Sequence, residues 1–143
     1  MEKHLSYTII PELKLVICNY QGEISIKEVT QLTLTFIADP LFNPDFNVLL
    51  DFRNSAAIGF RVDITDYVDF LRKTISFKKK VKLGIVYSTP NQEFLLKFYK
   101  TFGKFLNLEI EYFRQLDQYF EWMQFPDEEK QQIMDSLQSM KKF

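Results

Sequence analysis

The opening of the chain has the two-residue period of β-strands. Two strands are predicted, Ser6–Ile10 and Leu13–Gln21, and the Pro11-Glu12 break between them suits a hairpin. In the second strand both faces are largely apolar, with Leu15, Ile17 and Asn19 on one side and Val16, Cys18 and Tyr20 on the other. A strand of this kind is typical of a central position in a sheet that is covered on both sides. Gly22 permits a turn after it.

A helical period follows the hairpin. Ser25 is a plausible N-cap, and Glu28 three positions later completes a capping box. The apolar residues behind this cap recur at helical spacing, at Val29, Leu32, Phe36 and Ile37. The helix is expected to end near Asp39-Pro40, because the residue before a proline disfavours the α conformation. Three further strands are predicted at Phe46–Phe52, Val81–Tyr87 and Glu109–Phe113.

Further helices separate and follow these strands. Asp63 or a neighbour caps a second helix, with an apolar stripe at Ile64, Tyr67, Val68, Leu71 and Ile75. Ser88-Thr89-Pro90 opens a third helix, with a row of rings at Phe94, Phe98, Phe102 and Phe105. Two closing helices are predicted at Leu116–Met123 and about Asp127–Met140. The order β-β-α-β-α-β-α-β-α-α predicts an α/β fold with a mixed, mainly parallel sheet of about five strands.

Composition restricts the class of protein. The 143 residues suit one domain, and the lone Cys18 excludes an intramolecular disulfide and a thiolate zinc cluster. The free thiol and the absence of an apolar leader favour the cytoplasm, and no run of residues is long and apolar enough to span a membrane. The segment from Arg72 to Lys104 is basic, with nine cations and one acid. We interpret it mainly as a solvated face, and nucleic acid is not expected as a partner.

Enzymatic chemistry is not expected. The single histidine, His4, has no evident group to orient it, and Cys18 fits a buried small hydrophobe. No nucleophile elbow, phosphate-binding loop, dinucleotide fingerprint or metal-ligand spacing is present in the sequence. We therefore expect no cofactor and no metal.

The order of elements, taken with five short motifs, resembles the SpoIIAA-like fold, in particular the small bacterial STAS/SEC14-type domains. The motifs are Pro11-Glu12-Leu13-Lys14-Leu15, Tyr20-Gln21-Gly22-Glu23-Ile24, Asp39-Pro40, Leu50-Asp51-Phe52-Arg53 and Glu121-Trp122-Met123. The resemblance spans about Tyr7 to Met123. It implies a SpoIIAA-like domain at 1–126 and an added amphipathic helix at 127–143. This helix either packs on the domain or forms an oligomer contact, through Ile133, Met134, Leu137 and Met140.

The resemblance implies a module that regulates by docking to a protein or that holds a small or lipidic ligand. In the anti-sigma-factor antagonist branch, a phosphorylatable serine lies in an Asp-Ser-x-Gly stretch after the third strand. Here 57–63 contains no serine, and the nearest hydroxyls are those of Ser55 and Thr65. The usual phosphorylation switch is therefore not expected.

The most informative polar pair is Asp51 and Arg53, which share one face of the third strand because Phe52 alternates between them. They form either a structural ion pair or a site where Arg53 and the amides of a following loop receive an anionic group. The candidate docking or ligand site comprises Asp51, Arg53, Asn54, Ser55, Gly59, Phe60, Arg61 and Asp63.

The sequence thus predicts a non-enzymatic, cytoplasmic module that docks to an unidentified protein partner through the loop from Arg53 to Asp63. The alternative is a carrier or sensor of a small apolar or anionic ligand, with Arg53 near the polar end of that ligand. A homodimer is compatible with both hypotheses.

Overall fold

The computed structural model describes residues 3–58, 69–70, 72–73, 80–89, 100 and 108–141. Within these ranges the chain forms five strands, a short 3-10 turn and three complete helices. The strands are β1 (His4–Ile10), β2 (Leu15–Ser25), β3 (Asn47–Ile58), β4 (Val81–Val86) and β5 (Leu108–Phe113); the helices are α1 (Ile26–Ile37), α2 (Leu116–Met123) and α3 (Asp127–Met140).

The five strands form one mixed sheet in the order β1-β2-β3-β4-β5. β1 is antiparallel to β2, and every other neighbouring pair is parallel. The hairpin between β1 and β2 turns through Pro11–Leu13 and Lys14, whose φ of 51° lies in the left-handed region. The predicted parallel sheet with an antiparallel edge is confirmed.

β2 is the centre of the molecule, as the sequence predicts. The side chains of Leu15–Cys18 have no exposed surface. Val16 and Cys18 point into a core that β2 shares with α1, whereas Leu15 and Ile17 point into a second core with α2 and α3. Both sides of β2 are apolar because helices cover both faces of the sheet.

The two largest errors in the predicted boundaries concern the carboxyl ends of strands, whereas β1 and β2 each begin two residues from their predicted starts, at His4 and Leu15. β2 continues past Gln21 to Ser25, and Gly22 lies inside the strand with φ of 87° instead of opening a turn. β3 continues past Phe52 to Ile58, because Asn54–Ile58 pair in parallel with Gln21–Ser25. Serine and alanine have little intrinsic preference for strands, so pairing with the neighbouring strand decides the conformation here. Residues 53–58, predicted as a loop, are therefore part of the sheet.

The described helices agree with their predicted limits. Ser25 and Glu28 form the capping box at the start of α1, with Ser25 Oγ accepting from the Glu28 amide at 3.3 Å. α1 ends at Ile37, and Asp39 then accepts the amide of Leu41 at 2.9 Å. Residues 69–70, 72–73 and 100 are helical, but most of the predicted second and third helices, including the phenylalanine row, lies outside the described residues.

The second core is closed by α2 and α3. Gly84 of β4 permits α2 to approach the sheet closely, because a Cβ atom at this position would lie 2.5 Å from the ring of Tyr119. On α3, Ile133, Leu137 and Met140 are buried in the same core, whereas Met134 is exposed. α3 therefore covers the face of the sheet opposite α1.

Candidate functional site at the carboxyl ends of the strands

The carboxyl ends of β2, β3 and β4 meet at one edge of the sheet, since these strands are parallel. Ligands and partners of open α/β sheets commonly bind beyond this edge. Here the buried positions change from apolar to polar along the strands, and the buried polar residues include Asn19, Gln21, Asp51 and Ser55. Burial of polar groups is costly unless they are hydrogen-bonded, so their contacts indicate what this edge is built for.

Asp51 and Arg53 form a two-point ion pair. Arg53 donates from Nε to Asp51 Oδ1 and from Nη2 to Oδ2, each at 2.9 Å, and the backbone amide of Arg53 adds a bond of 3.1 Å to Oδ1. The Asp51 side chain is 1% exposed and the Arg53 side chain is 29% exposed. Hydrogen bonding to the Asp51 carboxylate raises the pKa of Arg53 above its ordinary value. The guanidinium is therefore a permanent cation in a fixed orientation.

Arg53 keeps part of its donor set after this pairing. A guanidinium has five N–H donors in a planar fork, and Asp51 takes one from Nε and one from Nη2. Within the described part of the chain, no other acceptor is bound by the remaining side-chain donors of Arg53. Because the side chain is partly exposed, these donors can bind a carboxylate or phosphate oxygen that approaches this edge.

Two serines fix the backbone around Arg53. Ser88, just beyond β4, donates its hydroxyl to the carbonyl of Arg53 at 2.8 Å. Ser55 donates to the carbonyl of Phe52 at 2.9 Å. On the opposite face, the ring of Phe52 stacks on Tyr20 of β2 with centroids 4.4 Å apart and planes within 6°. The strand that carries the ion pair is thus held from both faces.

Asn19 lies beside Asp51 in the register of β2 and β3 and has no exposed surface. Its Nδ2 donates to Gln21 Oε1 at 3.3 Å and lies 3.5 Å from the carbonyl oxygen of Met140, at the end of α3. Its Oδ1 has no hydrogen-bond partner among the described residues. Sequence reasoning placed Asn19 on an apolar face without assigning it to the site. An amide on an otherwise apolar strand face was the available signal.

The structure brings together half of the predicted site. Asp51 and Arg53 are paired, and Asn54 and Ser55 follow them in β3 instead of in a loop. Gly59, Phe60, Arg61 and Asp63 lie outside the described residues, as does Thr65. Asn19 and Ser88 also belong to the described part of the site. The sequence had indicated only a helix cap at Ser88.

The candidates for catalytic chemistry fall elsewhere. Burial raises the pKa of the Cys18 thiol to about 12, so the thiol is protonated and unreactive at neutral pH. His4 begins β1 and lies opposite Gln21 in the hairpin register. Across the described ranges, no cluster of three or more histidine, cysteine, aspartate and glutamate side chains could hold a metal ion.

The described part of the basic segment is dispersed. Arg72, Lys73 and Lys80 are exposed, and Lys82 lies over the ring of Trp122 with Nζ 5.0 Å from its centroid. Lys100 pairs with Glu111 of β5. The other cations of the segment lie outside the described residues. In the segments that the structure describes, no helix has both the length and the apolar character needed to cross a membrane.

Comparisons with known proteins identify the fold. No family model matches the chain, and no curated protein matches it in sequence. Among solved structures, the chain is similar to an uncharacterized DUF3478-family protein of Shewanella loihica PV-4 that has a SpoIIAA-like fold. The match covers 84% of this chain and 92% of that protein, with a TM-score of 0.53 and 15% sequence identity. At this identity the likeness concerns architecture alone, and it agrees with the five-stranded mixed sheet. The chain therefore folds as a SpoIIAA-like α/β domain.

Proposed function

We propose that this protein is a non-enzymatic regulatory module of the cytoplasm that docks to a protein partner through the edge formed by Arg53, Asn54 and Ser88. The observation that carries the proposal is the two-point pairing of Arg53 with the buried Asp51. This pairing holds a partly exposed cation in the middle of β3, beside the carboxyl end of β4, whose last residue Val86 faces Asp51.

A fixed guanidinium favours recognition of an acidic group. A flexible arginine loses rotamer freedom when it binds, whereas Arg53 is already held by Asp51 and by strand β3. The expected partner surface therefore presents an aspartate or glutamate to the unpaired donors of Arg53. Asp51 also neutralises much of the charge of Arg53, so the geometry of the donors contributes more to selection than long-range attraction does.

The SpoIIAA-like fold supports the proposal at the level of architecture, since it supplies a rigid sheet on which the polar edge is displayed. The proposed docking role is argued from the residues of this chain and not from the similar structure. The buried Cys18 is compatible with a reducing compartment, because the protein has no disulfide to lose.

The test compares Arg53→Lys with the wild type in affinity capture and quantitative mass spectrometry. Lysine keeps the positive charge beside Asp51 but loses the planar fork. Arg72→Lys, at an exposed position outside the site, is the matched control. We expect at least one protein to be retained by the wild type and by Arg72→Lys and to be depleted about tenfold with Arg53→Lys, which corresponds to about 1.4 kcal/mol of binding free energy.

Equal capture by all three proteins, with unchanged thermal melting, would contradict docking through Arg53. Native mass spectrometry of the same preparations separates this proposal from the carrier alternative. A small molecule that is bound to the wild type and lost from Arg53→Lys would show that Arg53 holds a ligand instead of a protein surface.

A further inference from the structure

The two edges of the sheet differ in how they are protected. β5 carries Glu109 and Glu111 within the strand, and charges of this kind oppose pairing with another strand. β1 has the sequence His-Leu-Ser-Tyr-Thr-Ile-Ile, without an acid, lysine, arginine or proline between its ends. Its register with β2 is continuous and contains no bulge. β1 is thus a straight edge that lacks the usual devices against strand addition.

The outer side of β1 has no backbone partner in the described part of the chain. β1 pairs with β2 alone, and no backbone hydrogen bond from a turn or loop of the described residues reaches it. In an antiparallel edge strand, every second residue directs its N–H and C=O away from the sheet. These groups can pair with one further strand.

We propose that the occupant of this edge is β1 of a second copy of the chain, antiparallel to the first and related to it by a two-fold axis at Tyr7. Such an axis is perpendicular to the sheet, so the side chains of two facing residues lie on the same side of the sheet. With Tyr7 opposite Tyr7, Ser6 faces Thr8 and Leu5 faces Ile9 of the second copy. The two sheets then form one continuous sheet.

The Tyr7-centred register also brings two short hydroxyl side chains together. In the dimer, Ser6 lies directly opposite Thr8 of the second copy, and the reverse pair forms by symmetry. Hydroxyl pairs across neighbouring strands are a recognised stabilising contact.

The other contacts of this register are also complementary. Leu5 lies opposite Ile9 of the second copy, on the side of the sheet that carries α1. A groove of about 240 Å³ next to this pair is lined by Leu5, Glu28, Gln31, Leu32 and Thr35, and it has room for an apolar side chain. At each end, Lys3 lies opposite Pro11 of the second copy and next to its exposed Glu12. Lys3 already pairs with Glu28 of its own chain at 3.1 Å, so in the dimer it lies between two carboxylates.

A cross-linking experiment tests the register. Ser6→Cys and Thr8→Cys variants are prepared separately and then mixed under mild oxidation. Facing residues have Cα atoms about 4.5–5.5 Å apart, which permits a disulfide. In a dimer of two identical variants the new cysteines are diagonal neighbours about 7–8 Å apart, which is too far for a disulfide. We expect a cross-linked dimer in the mixture and little in either variant alone. The native thiol of Cys18 is buried and does not compete.

Analytical ultracentrifugation tests whether the β1 edge forms the dimer contact. The wild type is expected at twice the 17.1 kDa of one chain. Thr8→Lys places a charge on the pairing edge and is expected to raise the Kd of the dimer at least about tenfold. Met134→Lys, on the exposed side of α3, is the matched control and should leave the dimer intact.

A wild type that is monomeric at micromolar concentration would overturn the proposal. So would a dimer that survives Thr8→Lys and is lost in Met134→Lys, because α3 would then be the contact. If Thr8→Lys lowers the thermal melting point, the cysteine mixture still decides, since it needs no charge at the edge. None of these outcomes depends on Arg53.

Discussion

The two ends of the central strands differ in what they bury against α3. At the amino-terminal half, Leu15, Ile17 and Leu49 form an apolar face with no exposed surface. Two to four residues further on, the same face carries Asn19, Asp51 and Arg53. The apolar half stabilises the fold by removing hydrocarbon from water, whereas the polar end requires its groups to find partners. The difference shows how one pair of strands combines a stable core with a chemically specific edge.

The opposite face gives the internal comparison. There the apolar character continues past the level of Asn19 and Asp51, since Tyr20 and Phe52 stack on each other beside α1. The polar end is therefore confined to one side of the sheet. This asymmetry supports a role for the Asp51–Arg53 pair beyond filling space on that face of β3.

The largest effect is expected from truncation in the apolar half. Ile17→Ala removes three carbon atoms from a fully buried position and leaves a cavity between β2 and the helices on that face. The free energy of unfolding should fall by about 2 to 5 kcal/mol. Urea denaturation followed by circular dichroism measures this change. Met134→Ala, at an exposed position, is the control and should change stability by less than about 0.5 kcal/mol.

Breaking the ion pair at the polar end should cost less. Arg53→Ala leaves the Asp51 carboxylate, which is 1% exposed, without its charged donor. We expect a loss of about 2 kcal/mol, since Arg53 is partly exposed and water can reach part of the site. The same urea titration applies, with Arg72→Ala as the exposed control. A loss larger than that of Ile17→Ala would reverse the ranking of the two ends.

Cys18 makes the stability of the apolar core depend on pH. The pKa of the thiol is raised from 9.0 to about 12 by burial, so the unfolded chain loses this proton first as the pH rises. The contribution is fully present below about pH 9 and is lost progressively between pH 9 and 12. The difference in unfolding free energy between the wild type and Cys18→Ala should fall by about 1.4 kcal/mol from pH 8 to pH 10. A constant difference over this range would contradict burial of the thiol in the native state.

The smallest effect is expected at Asn19. Asn19→Leu keeps the branched shape and the number of side-chain heavy atoms. It removes the Oδ1 atom that lacks a partner among the described residues and gives up two weak contacts of 3.3 and 3.5 Å. We expect a stability within about 1 kcal/mol of the wild type, because replacing an incompletely bonded amide by an apolar group is often nearly neutral. Asn19→Ala, which leaves a cavity, is the control and should be clearly less stable. A large loss in Asn19→Leu would show that the amide is needed where it lies.

The success of sequence reasoning varied along β2 and β3. The alternation in Leu15–Tyr20 predicted a central strand because burial on both faces leaves both faces apolar. The capping box at Ser25 and the limits of the two closing helices were predicted because caps and prolines act within a few residues. The extension of β3 to Ile58 was missed, since it depends on pairing with Gln21–Ser25, some thirty residues away.

The candidate site shows the same division. Phe52 alternates between Asp51 and Arg53, so their shared face could be read from the sequence, and the structure pairs them. The contact between Ser88 and the carbonyl of Arg53 joins residues 35 positions apart, and no local pattern announces it. Likewise, the polar surroundings of Asn19 depend on where α3 ends over the sheet.

The class of fold, the central place of β2, the described helix boundaries and the shared face of Asp51 and Arg53 on β3 could all be predicted from the sequence. These features follow from periodicity and from short-range capping, which are local properties of the chain. The lengths of β2 and β3, the residues that join Arg53 at the polar edge and the unprotected edge of the sheet became visible only in the folded chain. Those features depend on contacts between residues distant in sequence, which form only when the strands pair and the helices pack on them.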